Sequence, residues 1–127
     1  MSTVKVDAIA PRTVSTTIAI GAAASNLTTL TSAATITIDF NNNNNFKVTL
    51  AHNAAFANPS NPTAGQTGSI FITQDGTGSR TASWGTSWDF IGGTAPTLTT
   101  TAAGVDRIDY VILDATNIQA VATLAYS

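Results

Sequence analysis

The chain of 127 residues contains no cysteine and no glutamate, and it has one histidine and one methionine. Without cysteine there are no disulfide staples and no thiolate metal site. A zinc site needs about four ligands, so His52 alone makes a poor start and reads as a solvated loop residue. Charged side chains are 9% of the residues, against roughly 25% in ordinary globular chains. The Glu/Lys pairs that support exposed helices are therefore missing. The basic residues Lys5, Arg12, Lys47, Arg80 and Arg107 are scattered, which argues against nucleic acid, because phosphate binding needs them clustered. No apolar run is long enough for a membrane-spanning helix, and MSTVKVDAIAP lacks the apolar core of a signal peptide. The expectation is manufacture in a cytoplasm with no membrane partner. A net charge of −2 on so weakly charged a surface suits a protein covered by partners rather than one kept apart by charge.

What fills the chain is Thr, Ala, Ser, Asn and β-branched residues, a composition that favours strands. The length suits one domain. Residues 1–20 read as an arm: Val4, Val6 and Ala8 alternate with polar residues, Pro11 interrupts, and Val14, Thr16, Ile18 and Ile20 alternate again. Two readings stay open, an edge strand of its own domain and a strand added to a neighbour's sheet. In the second, Val4, Val6, Ala8, Pro11 and Arg12 are contact residues. Residues 21–34 are small and polar and read as a linker or a wall of the domain.

Residues 35–127 read as the β domain. TITIDF and FKVTL flank Asn41–Asn45. Folding about that loop pairs Phe40 with Phe46 and Asp39 with Lys47. It also places Ile36, Ile38, Phe40, Phe46, Val48 and Leu50 on one face. Residues 51–68 read as a long loop, with Phe56 as its anchor. Ser69–Gln74 and Ser79–Trp84 flank the Gly-rich turn Asp75–Gly78 and predict a second hairpin. Val105–Leu113 and Asn117–Tyr126 predict a third. Val111 and Leu113 make the first of those strands apolar on both faces, as in a strand covered on both sides. Trp84, Trp88, Phe90 and Tyr110 read as anchors of the core or of a subunit interface. The fold expected is all-β, an antiparallel sandwich or jelly-roll-like domain with an extended N-terminal arm.

The sequence carries no strong motif for chemistry. Gly85-Thr86-Ser87-Trp88-Asp89 misses the second glycine of a nucleophile elbow. Asp106 and Asp109, a formal carboxylate pair, flank Arg107 and read as solvated or salt-bridged. Asp75-Gly76-Thr77-Gly78 lacks the repeated carboxylates of a calcium loop and the lysine of a phosphate loop. No catalytic residue, metal or cofactor is expected.

One pattern is more specific. Asn61-Pro62, Gly65, Gly68, Ile70, Ile72, Gln74-Asp75, Trp84-Gly85, Trp88, Gly92-Gly93, Pro96, Leu98-Thr99, Asp106, Ile108 and Tyr110 resemble a small all-β module of tailed-bacteriophage virion proteins. Such modules occur in capsid decoration (cement) proteins and in tail fibres and spikes, commonly as trimers. The resemblance covers roughly residues 36–126. It implies a structural virion protein, a homotrimer bound to the major capsid protein on the capsid surface. The alternative is a tail fibre, spike or other tail component. A short chain that must occupy many identical sites suits the cement protein better.

Overall fold

The structure is a computed structural model that describes residue 22 and residues 24–127. Apart from one short 3-10 turn at Ile91–Gly93, its regular elements are all strands. They are β1 (Thr28–Thr29), β2 (Thr35–Ile36), β3 (Phe46–Leu50), β4 (Ala54–Phe56), β5 (Thr67–Gln74), β6 (Ala82–Trp84), β7 (Trp88–Phe90), β8 (Val105–Asp114) and β9 (Asn117–Tyr126). A six-stranded sheet has the order β1-β3-β5-β8-β9-β7, and a three-stranded sheet has the order β2-β4-β6. The all-β class expected from the sequence is what the chain adopts.

The pairing is not that of an antiparallel sandwich or jelly roll. From β1 to β6 the chain alternates between the two sheets. Every same-sheet neighbour in that run is parallel: β1 with β3, β3 with β5, β2 with β4, and β4 with β6. The chain therefore winds in coils, each contributing one strand to each sheet. Among the described residues, antiparallel pairing is confined to β5–β8 and β8–β9, and β7 returns parallel to β9. The six-stranded sheet is thus mixed and the three-stranded sheet parallel, and the β8–β9 hairpin closes one end of the coil.

Two of the three expected hairpins are corrected by this winding. Phe46 pairs with Ile70 and Lys47 with Phe71, not with Phe40 and Asp39. Asp39 instead bridges Ser60. Ile36, Ile38, Phe40, Phe46, Val48 and Leu50 are nevertheless all buried. Alternation decides which face is buried, but it does not name the neighbouring strand. Likewise β5 and β6 lie in different sheets, so Asp75–Gly78 turns a corner between sheets. The supposed long loop of residues 51–68 carries β4 and the start of β5. Phe56 within it is buried and stacks on Trp84 at 4.5 Å. The third hairpin forms as expected, with Tyr110 opposite Ala120 and Ile112 opposite Ile118.

Both sheets share one apolar core. Close approach within it explains Gly68: a β-carbon there would collide with the carbonyl oxygen of Asn44, the same oxygen that accepts the Tyr110 hydroxyl at 2.5 Å. Burial pushes the Tyr110 hydroxyl well above its ordinary pKa, so it stays protonated and donating. Gln74 is buried and acts as a false strand, its side chain accepting from Arg80 N at 2.8 Å and donating to Arg80 O at 2.9 Å.

Carboxylates hold the corners and turns. Asp39 accepts from Asn61 Nδ2 and Asn41 N. Asp75 accepts from Arg80 Nη2 at 2.7 Å and from the amides of Gly78 and Thr77. Asp114 accepts from Thr116 N and Asn117 Nδ2. The Asn61 amide, the Arg80 guanidinium and the Thr116 amide respectively lead in holding the three carboxyls below their ordinary pKa. A depressed folded pKa gives stability that is present above the unfolded value of about 3.9. That stability disappears as pH falls through the folded value. The urea midpoint should thus lose the contribution of these turns only below about pH 4. Asp75→Asn should flatten that acid limb, and an acid limb as steep as the parent's would show that the Asp75 turn contributes nothing.

Candidate functional site

Strand β8 is two-faced. Ile108, Tyr110 and Ile112 point into the core, while Val111 and Leu113 are 52% and 58% exposed. On β9 the same split leaves Ile118 and Ala120 buried and Val121 half exposed. The register sets Val121 beside Asp109, Gln119 beside Val111, and Thr67 of β5 on the far side of Val111. Ile91, just after β7, is 80% exposed. These residues edge an open groove of about 530 Å³, lined among others by Thr67, Asp89, Ile91, Val111, Gln119 and Val121. Farther along the same hairpin, Tyr126 is also exposed. Singly exposed apolar residues are ordinary, but a contiguous set on a flat sheet face marks a contact surface.

The middle of this face is polar and internally satisfied. Asp109 accepts from the Ser69 hydroxyl at 2.5 Å and from Arg107 Nε at 3.0 Å. The Arg107 guanidinium lies 5.3 Å from the centre of the Tyr126 ring, within the range of a cation–π contact. A satisfied ion pair flanked by Val111, Leu113 and Val121 gives a surface both apolar and fixed in register, which suits docking of another β surface.

Of the anchors expected from sequence, Trp88 and Tyr110 are buried in the core, and Trp84 and Phe90 pack partly buried against it. Trp88 Nε1 donates to Ala57 O at 3.1 Å. Trp84 meets Trp88 and Phe90 edge-on at 5.2 and 5.1 Å. With Phe56 stacked on its ring, Trp84 is not arranged as an open sugar- or base-stacking platform. The arm residues Val4, Val6, Ala8, Pro11 and Arg12 lie outside the described residues.

The remaining candidates for chemistry separate. Asp106 is buried and Asp109 projects from the opposite face of β8, so they do not form a working carboxylate pair. His52 Nδ1 sits 3.3 Å from the Ser32 hydroxyl at the exposed surface, a contact the sequence does not reveal because twenty residues separate them. Among the described residues, no three His, Cys, Asp or Glu come together as a metal site. Val121 and Ile91 are the face residues that sequence reasoning missed. The signal for Val121 was the β8–β9 register, which carries the two-sided pattern of Val111 and Leu113 across to the next strand, whereas Ile91 reaches the face through the pairing of β7 with β9.

Comparisons with protein-family models, with curated proteins and with solved structures each find no match.

Proposed function

We propose that this chain is a structural subunit of a tailed-bacteriophage particle, a trimeric cement protein that binds the outside of the major capsid protein shell and stabilises it. Its work is adhesion rather than catalysis. The observation that carries this reading is the exposed apolar face of β8 and β9 around a satisfied Ser69–Asp109–Arg107 centre. Such a face suits burial by another subunit or by the shell. The low charge of the chain and the resemblance of its motif to virion modules support it from the sequence side.

A tail fibre or other tail component rests on the same motif, and copy number separates the two. Gel densitometry of purified particles should give about as many copies of this chain as of the major capsid protein. A ratio of a few per cent would assign the chain to the tail, and its absence from particles would end the virion reading.

A further inference from the structure

The outer face of the six-stranded sheet carries its charges in a definite order. Register places Lys47 of β3 beside Phe71 of β5, Phe71 beside Arg107 of β8, and Arg107 beside Thr123 of β9. Two rungs along, Val111 stands beside Gln119, and Gln119 beside Asp89 of β7. Lys47 alternates with buried Phe46 and Val48, and Asp89 follows buried Trp88, so both side chains leave the core on this face and are exposed. In the middle, Arg107 and Asp109 neutralise each other. The other charged side chains of the described residues are engaged elsewhere: Asp75 with Arg80, Asp39 and Asp114 in their turns, Asp106 in the core. The face therefore has a cation toward its β3 side, an anion at its β7 edge and a neutral, partly apolar middle.

The two outlying charges cannot meet within one subunit. Four strand spacings separate β3 from β7, about 19 Å across the sheet. The two rungs add an offset of about 13 Å along the strands. A closed trimer is built by a heterologous contact, in which one patch of each subunit meets a different patch of the next. Opposite charges at opposite sides of one face supply two such patches.

Resting on the trimeric reading above, we propose that this face docks a second copy of the same chain head to tail, with Lys47 of one subunit paired to Asp89 of the next around a three-fold axis. Both charges must stand at one height on that axis. The offset allows this when the strands lean by about 35°, near the strand tilt of closed barrels. Phe71, partly exposed beside Lys47, and Ile91, 80% exposed and two residues after Asp89, come to the same seam. They exclude water from the pair, and a shielded pair counts for more than a solvated one.

The cysteine-free chain allows a direct test. In full-length protein carrying Lys47→Cys and Asp89→Cys, a short bismaleimide should give covalent dimers and trimers on a denaturing gel and nothing larger, because the gap within one subunit is too wide to bridge. Either cysteine alone should leave single chains. Dimers as the largest product would mean a two-fold contact, and a longer ladder an open filament; each overturns the ring. A double variant that is trimeric by light scattering yet does not crosslink would overturn the pairing and leave the trimer standing. A monomeric parent would remove the trimer reading and the pairing with it. Charge supplies a second measure. Lys47→Glu and Asp89→Lys should each raise the concentration at which the trimer dissociates roughly tenfold, and the two reversals together should restore the parent's value. A double reversal no better than the single ones would contradict the contact.

Discussion

Asp106→Ala is expected to destabilise the fold by about 3 kcal/mol. Asp106 is 1% exposed. Its carboxylate accepts from Thr99 N at 2.8 Å, Thr99 Oγ1 at 2.7 Å and Ala125 N at 2.9 Å. Those bonds tie the irregular segment after the aromatic cluster and the end of β9 to the middle of the six-stranded sheet. Ala125 sits at φ +61, a left-handed conformation that costs an alanine roughly 1–2 kcal/mol. The β8–β9 register is irregular between Val105 and Arg107, opposite that alanine. Alanine at 106 would strand two backbone donors and release a strained bulge together. Asp106→Asn keeps the shape but turns an amide NH2 toward donors, so it should fall between the parent and Asp106→Ala. Urea unfolding with an unchanged m-value measures this. A loss below about 0.5 kcal/mol would show that the carboxylate does not clamp the two segments.

The second large effect is on assembly. Val111→Lys with Val121→Lys should leave the isolated fold nearly as stable as the parent, because both side chains are already about half exposed and such surface changes are usually within about 0.5 kcal/mol. Buried in an interface, each lysine would lack a partner. Truncating an interface hot spot costs about 2 kcal/mol or more. Two together weaken association roughly a thousandfold. The variant should therefore fold, judged by circular dichroism and Tm, and fail to self-associate. An unfolded variant is separated from this outcome by the same spectra. In that case Leu113→Ser with Val121→Ser, gentler at the same face, carries the comparison.

Much of the core was legible because burial follows alternation. Ile36, Ile38, Phe40, Phe46, Val48 and Leu50 could be assigned inward from period alone, and all are buried. Partners were not legible in the same way. FKVTL reads equally well as the return strand of a hairpin and as one rung of a parallel coil. The choice depends on Ile70 and Phe71, some twenty-four residues later. The Asp75–Gly78 turn misled for a related reason. Its glycines mark a sharp reversal, but Gln74 and Asp75 grip Arg80 with side chains, which turns the chain across the core rather than back along the same sheet. The β8–β9 hairpin was readable because its turn, Asp114 with Thr116 and Asn117, is local. The candidate face was half visible: Val111 and Leu113 break the inward pattern within one strand, whereas Val121 and Ile91 join them only through register and folding.

The proposed homotrimer uses the outer face of β8 and β9 as its interface. Light scattering of the full-length protein at micromolar concentration, run beside Val111→Lys with Val121→Lys, tests it most directly. The parent should show a mass of three 13.0 kDa chains and the variant that of one chain. A parent that is monomeric at that concentration, or a variant that keeps the parent's mass, would contradict it.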